Sequence, residues 1–354
     1  MQNISKLLGS RTTFALYSAN DFLKRQAVQF ELNIPLIITS ITNENSNDIA
    51  KKLLDLFEAN TTLAVLLGSE VFKVALDKFE GLADAIFIEG QPFTQRKRYT
   101  FGDLVEVIRR LRDPNGCQWD REQTHKSIRG NAIEEAYELV EAIDLDDKDK
   151  ILEESGDVFL QGLFHAVIAE DRGAFNTNDM VSNLCQKLVF RHTHIFGDNA
   201  ANNADEALSF WEKAKAKEKG QRSVSDKIDS VPKTFSALMR AHKIQKIAAK
   251  AGFDFSIADQ IAEKVLEELD ELKNAYSKEN MEEEAGDLLF AAVNLVRFLK
   301  IDPEVALNRT TAKFVNRFTY VDKRAKENGG AVTDFSDEVK EGWYREYKEL
   351  YENR

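Results

Sequence analysis

The chain has 354 residues, 48 Lys+Arg against 60 Asp+Glu, a formal charge of -12, and 43% apolar residues with 10% aromatics. That is an ordinary globular composition, long enough for two or three domains that each bury a core. The acidic balance excludes a general duplex-binding surface, which needs a basic stripe to displace counterions from phosphates, so no nucleic acid duplex is expected as a partner. Cys117 and Cys185 lack Cys-x-x-Cys spacing and support neither a disulfide framework nor a zinc knuckle, which fits a reducing cytoplasm. No apolar run approaches the length of a membrane span, and Met1 to Ser18 lacks the charged-then-apolar pattern of a secretory signal. A soluble, cytoplasmic protein without a membrane partner is expected.

From the amino terminus, β-rich runs at Thr12 to Tyr17, Ile34 to Ile41, Thr62 to Leu67 and Ala85 to Ile88 alternate with helical patterns at Asp48 to Glu58 and Glu70 to Phe79. The alternation predicts a small α/β domain with some parallel pairing over residues 1–97. Gly68-Ser69 falls at a strand-to-helix junction, a poor match to a phosphate-binding glycine loop. Arg96-Lys97-Arg98, in the Pro-containing junction from Gly90, reads as solvated linker. Beyond it, apolar spacing near 3.6 predicts helix to the carboxyl terminus. A polar break from Gly220 to Pro232 divides this part into helical repeats at 98–220 and 221–354. The expected fold is mainly α, with two tandem four-helix-bundle-like domains behind the α/β domain.

The two helical parts repeat one another. Glu134-Glu135-Ala136-Tyr137-Glu138, Glu153-Glu154-Ser155-Gly156-Asp157 and Lys187-Leu188-Val189-Phe190-Arg191 are matched in order by three later segments. These are Glu267-Glu268-Leu269-Asp270-Glu271, Glu283-Glu284-Ala285-Gly286-Asp287 and Lys313-Phe314-Val315-Asn316-Arg317. Each repeat closes with a tryptophan on a charged helix, Trp211 and Trp343.

Residues three apart share a helix face, so Glu268 with Glu271 and Glu284 with Asp287 form two-carboxylate ledges. The short connection between them predicts a helical hairpin in which the ledges face each other. Asp287 opens the apolar run Leu288 to Leu299, and Asp157 opens Val158 to Ile168, patterns that imply deep burial of both helices. Convergent carboxylates near a core need a counter-charge, and a hard divalent cation with oxygen preference, Mg²⁺, supplies it. A diiron bundle would use Glu-x-x-His, whereas Asp stands at that position in both repeats. His165 reads as a core or edge histidine, and His192 and His194 do not share a helical face as zinc ligands would. Lys313 and Arg317, echoed by Lys187 and Arg191, present paired cations suited to phosphate oxygens, and Lys264 precedes Glu268 by one turn.

With these motifs the chain resembles the MazG family of nucleoside triphosphate pyrophosphohydrolases in its two-repeat form, over Tyr99 to Tyr351. Leu111-Arg112-Asp113-Pro114-Asn115-Gly116-Cys117, Trp119-Asp120, Glu122-Gln123-Thr124, Lys243-Ile244-Gln245-Lys246 and Gly252-Phe253-Asp254 support the resemblance. It implies an all-α fold related to dimeric dUTPases, a homodimer, and Mg²⁺-dependent hydrolysis of an NTP to NMP and pyrophosphate. It also implies that Glu268, Glu271, Glu284 and Asp287 bind metal, with Glu135, Glu138, Glu154 and Asp157 as the corresponding set. Lys264, Lys313, Arg317 and Trp343 would contact substrate or support its pocket, with Lys187 and Arg191 in the same place in the first repeat.

Some positions depart from the family pattern. Gln118 replaces a usual proline, Tyr347 replaces a lysine, and Asn131 stands in the first repeat where the second has Lys264. Some relatives carry a tetrapyrrole methylase domain ahead of the repeats; residues 1–90 are too short for one and lack its glycine-rich loop. The expected activity is NTP pyrophosphohydrolysis, mainly in the second repeat. Glu267 or Glu271 would take the proton of the attacking water. A pyrophosphatase narrowed to one dNTP, and a nucleotide-sensing scaffold without turnover, are the alternatives.

Overall fold

The computed structural model describes residues 4–24, 32–198, 200–221 and 223–352. Arg222, inside the expected break, and Met1 to Asn3 lie outside the described residues. The chain forms two compact units, Met1–Leu188 and Val189–Arg354. No helix among the described residues is long and apolar enough to cross a membrane.

The first unit opens with an α/β layer. Its elements are α1 (Ser5–Leu8), β1 (Ala15–Ser18), α2 (Ala19–Lys24), β2 (Leu36–Ile41), α3 (Ser46–Leu54), β3 (Thr62–Leu67), β4 (Glu70–Ala75) and β5 (Ala83–Ile88). The sheet order is β1-β2-β5-β3-β4; β1 runs parallel to β2 and the other neighbours pair antiparallel. Central strands β2 and β5 read as nearly continuous apolar runs because both faces are covered. One face packs Phe22, Ile49, Leu53 and Phe57, and the other packs Leu7 with Ile37, Leu66 and Phe87.

The helix expected over Glu70 to Phe79 is strand β4 followed by a short 3-10 turn at Leu76–Lys78. Gly68 and Ser69 form a two-residue hairpin loop, with Leu67 paired to Glu70 and Gly68 at φ +62°. Positive φ in such a loop matches the right-handed twist of the flanking strands, and glycine adopts it without a Cβ clash. Gly68 N–H donates to Asp84 Oδ2 at 2.6 Å, so a side chain of the protein already uses the donor considered for an anion.

The helical part of this unit comprises α4 (Phe101–Arg112), α5 (Gln118–Glu122), α6 (Asn131–Asp144), α7 (Lys148–Asp171) and most of α8 (Thr177–Arg191). Thr100 and Asp103 cap α4 reciprocally, satisfying two donors at its start. The α6–α7 hairpin turns in three residues, with Asp146 at φ +52° and Asp147 Oδ1 accepting from the N–H groups of Asp149 and Lys150. Aspartate tolerates that backbone and then caps the next helix, which explains the abrupt reversal. The second half of α7 is enclosed as expected: Leu163, Phe164, Val167 and Ile168 pack on Val105 and Ile108 of α4.

The second unit contains the remaining helices: α9 (Thr193–Phe196), α10 (Ala204–Glu218), α11 (Val224–Asp229), α12 (Ala237–Lys250), α13 (Ala258–Asn274), α14 (Lys278–Phe298), α15 (Pro303–Glu327) and α16 (Asp337–Tyr351). Three residues join α13 to α14, and Ser277 caps α14 by accepting from Asn280 N–H at 3.2 Å. Trp343 packs with Val321, Ala325 and Phe335 where α16 meets α15. The deep burial expected of α14 is not found. Ala291 and Val293 are buried, whereas Leu289 is 62% and Phe290 48% exposed. α12 and α13 cover one side of α14, and its apolar residues continue around the helix beyond them.

Candidate functional site: two acidic helical hairpins

Each hairpin brings carboxylates from its two helices to one point. In the second repeat, oxygens of Glu268 and Glu271 on α13 and Glu284 on α14 all lie within 4.8 Å of one another. In the first, the same holds for Glu135 on α6 and Glu154 and Asp157 on α7. Glu268 is buried, and Glu135, Glu154, Asp157 and Glu284 are half-buried. The hairpin connections set this register, because α13 and α14 reverse within three residues and so bring positions near their shared end face to face.

Partial burial raises the carboxyl groups of Glu135 and Glu154, and neighbouring carboxylates push further the same way. For Glu135 the like charges are Asp157, Glu138 and Glu134; for Glu154 they are Glu138, Glu153, Asp157 and Glu135. Glu271 is exposed, and its carboxyl is raised by partial desolvation against its neighbours and then by the charges of Glu268 and Glu284, with Lys264 opposing. Ionised oxygens this close, with ordinary protons held more tightly than usual, form a set that a small oxygen-seeking dication would relieve. Mg²⁺ therefore fits the donor chemistry of both clusters.

Lys264 distinguishes the two. Its Nζ donates to Glu268 Oε1 at 2.7 Å and to Glu267 Oε1 at 2.9 Å, and these bonds raise its ammonium above the ordinary lysine value. The corresponding residue in the first repeat is Asn131, the opening residue of α6. Among the described residues, no ion pair reaches Glu135, Glu154 or Asp157 within 4.0 Å.

The other anticipated residues are placed differently. Glu138 is exposed on α6 and close enough to perturb Glu154. Asp287 is exposed on α14 one turn beyond Glu284, and is not among the three converging carboxylates. Arg317 on α15 is held by Glu352, with its Nη2 2.6 Å from Oε2, and by the Tyr344 hydroxyl at 3.0 Å, and its guanidinium lies over the Tyr344 ring. Arg191 repeats this arrangement, bonded to Glu218 at 2.7 Å and lying over Trp211. Trp343 is buried in the α15–α16 core. Lys313 is exposed and helps hold the Glu352 carboxyl low, whereas Lys187 is half-buried on α8.

Sequence reasoning missed Glu218, Glu352 and Tyr344. The only signal was an acidic residue near the end of each tryptophan-bearing helix segment, which any charged helix supplies. It also missed the pairing of His125 with His165, whose Nδ1 atoms are 2.8 Å apart with rings stacked at 5.1 Å. Burial and then His125 lower the His165 imidazole. No local pattern connects a loop histidine to one forty residues away.

Comparison with known proteins agrees with this geometry. The MazG nucleotide pyrophosphohydrolase domain matches twice, over residues 123–196 and 256–321, and each match holds one carboxylate cluster. The chain is 43% identical over 248 residues to the nucleoside triphosphate pyrophosphohydrolase/pyrophosphatase MazG of Thermotoga maritima, covering 70% of this chain and 95% of that protein. It is 39% identical over 251 residues to the nucleoside triphosphate pyrophosphohydrolase of Escherichia coli, covering 69% of this chain and 95% of that protein. It is also 41% identical over 338 residues to the uncharacterized protein YabN of Bacillus subtilis, covering 91% of this chain and 69% of that protein, a span that takes in the α/β layer. With the domain found twice and each copy built around an acidic helical hairpin, the chain belongs to the MazG nucleotide pyrophosphohydrolase family, a family of hydrolases.

Proposed function

We propose that this protein hydrolyses nucleoside triphosphates to nucleoside monophosphate and pyrophosphate, chiefly at the second-repeat cluster and with Mg²⁺. The observation that carries this reading is the convergence of Glu268, Glu271 and Glu284 beside an ammonium group, Lys264. Glu268, Glu271 and Glu284, with Asp287 one turn along α14, are the residues that would hold Mg²⁺. The bound ion supplies charge neutralisation for the triphosphate and Lewis acidity toward water.

The chain's own groups do the rest. Glu271 has a raised carboxyl and a place in the cluster, so it can take a proton from the attacking water; Glu267, tied to Lys264, is the alternative base. The water oxygen bonds to the α-phosphorus, its proton passes to the carboxylate, and the bond to the β-phosphate's bridging oxygen breaks as pyrophosphate leaves. Lys264 and Lys313 supply cations to phosphate oxygens. Arg317, fixed by Glu352 and Tyr344, and Trp343 in the core behind it support that wall. Glu135, Glu138, Glu154 and Asp157 would make a second metal set, with Lys187 and Arg191 as its basic residues.

The exposed apolar residues fit a homodimer in which helices of two copies cover one another. Leu289, Phe290, Phe314 and Phe318 are each about half exposed or more, and residues of that size left in water favour burial against a partner. Static light scattering should give twice the chain mass; a monomer at micromolar concentration would count against this assembly. Free Cys117 and Cys185 suit the cytoplasm, and boundaries near 97 and 220 remain our division into an α/β domain and two repeats. The activity is tested by incubating each NTP and dNTP with protein in Mg²⁺ or EDTA and measuring the monophosphate. Monophosphate and pyrophosphate in equal amounts, only with Mg²⁺, are expected; diphosphate and orthophosphate would refute the site of cleavage.

A further inference from the structure

We propose that the two clusters differ in their hold on a free divalent cation. The first binds it more tightly, because in the second Lys264 competes for Glu268. The inference rests on reading both clusters as metal sites, and it concerns what this chain places next to each.

Both clusters gather three carboxylate oxygens from the two helices of a hairpin within 4.8 Å, sharing the Glu135/Glu268 and Glu154/Glu284 positions and differing in the third donor, Asp157 in one and Glu271 in the other. The difference in charge lies in the residue one turn before the leading glutamate, Lys264 in the second repeat and Asn131 in the first. Lys264 Nζ sits 2.7 Å from Glu268 Oε1 with the Glu268 side chain only 8% exposed, so this ion pair is shielded on the carboxylate side. A ligand atom engaged by an ammonium must give up that bond before it can serve a metal, and the ammonium's charge lowers the attraction of the whole cluster for a cation. In the first repeat Asn131 carries no charge, and among the described residues no ammonium or guanidinium pairs with Glu135, whose neighbours within 4.8 Å are the carboxylates of Glu154 and Asp157. Repulsion there is uncompensated, which is the condition a dication relieves most.

A consequence follows for the second repeat. Phosphate oxygens offer Lys264 an alternative partner, so a nucleotide that draws Lys264 away frees Glu268. The first cluster has no such coupling, which suits a site filled at resting cation levels.

The test uses the full-length protein and Mn²⁺ as the probe, with bound ion counted from the loss of the free-ion electron paramagnetic resonance signal. Wild type should show two classes of site. Glu135→Gln should remove the tighter class and Glu268→Gln the weaker. Lys264→Met should tighten the weaker class by about fivefold, the factor corresponding to loss of a competing, partly exposed ion pair. Lys264→Arg, which keeps the cation, should leave it weak. A gain of affinity in Lys264→Met cannot arise from misfolding. Equal affinities in wild type, or no tightening in Lys264→Met, would overturn the inference while leaving the metal reading intact. Mn²⁺ binding unaffected by either Gln substitution would instead reject the clusters as metal sites.

Discussion

Replacing Glu135 with Gln should stabilise the protein in the absence of divalent cations, although it deletes a family motif residue. In the first repeat the Glu135 carboxylate has two like-charged neighbours, Glu154 and Asp157, with oxygens within 4.8 Å. Unit charges at that separation repel by about 1 kcal/mol in a water-like dielectric and by several times more in a protein-like one. Glu135 is half-buried, so the lower figure is appropriate after solvent screening. Two neighbours then give a gain of about 1–2 kcal/mol, less whatever hydrogen bonding the amide fails to match. For a unit of this size that is a rise of roughly 3–6 °C in Tm. The assay is calorimetric melting in EDTA and in millimolar Mg²⁺. Wild type should gain stability on adding Mg²⁺, by mass action on the native state, whereas Glu135→Gln should start higher and gain less. A variant that melts lower than wild type in EDTA, or that keeps the full Mg²⁺ response, would refute the picture of an uncompensated acidic cluster.

The Mg²⁺ response should also depend on pH. Because the carboxyl groups of Glu135, Glu154 and Glu271 are raised, protons compete with the metal sooner than at ordinary carboxylates as pH falls. The gain in Tm on adding Mg²⁺ should be largest at pH 7–8 and shrink toward pH 5; a gain constant across that range would contradict the shifts. Glu352 shows the opposite sign. Its bond to Arg317 holds its carboxyl below the ordinary value of 4.5, so the pair stabilises the fold above that pH and loses its contribution as pH falls through the lowered value. Arg317→Met should therefore flatten the decline in Tm between pH 5 and pH 3, and an unchanged acid limb would show the pair to be inert. Leu163→Ala, at a residue with no exposed surface, should cost about 3–5 kcal/mol by urea melting; a loss below about 1 kcal/mol would mean the α4–α7 core is looser than drawn.

The helical hairpins and their acidic ledges were legible because periodicity, short connections and the internal repeat all specify the same register. Glu268, Glu271 and Glu284 meet as their spacing predicts, and so do Glu135, Glu154 and Asp157. Glu70, Lys73 and Ala75 favour helix while Val71, Phe72 and Val74 favour strand, so Glu70–Ala75 carries only a weak local preference for helix. Pairing with β3 through the Gly68-Ser69 loop overrides that preference. The burial of α14 was misread for a related reason: an apolar run states that a face wants cover, not that the same chain supplies it. The Lys-x-x-x-Arg spacing of Lys313 and Arg317 is legible in the sequence, but what anchors Arg317 is not. Its partners Glu352 and Tyr344 come from a helix brought near only by tertiary packing, which no local spacing encodes.

Pyrophosphate release from an NTP in Mg²⁺, compared among wild type, Glu135→Gln and Glu268→Gln, decides whether the second-repeat cluster is catalytic. Glu268→Gln should lose turnover by at least about a hundredfold with its fold intact by circular dichroism, while Glu135→Gln keeps most of it. Turnover near the wild-type rate in Glu268→Gln, or its loss only in Glu135→Gln, would contradict catalysis at the second-repeat cluster.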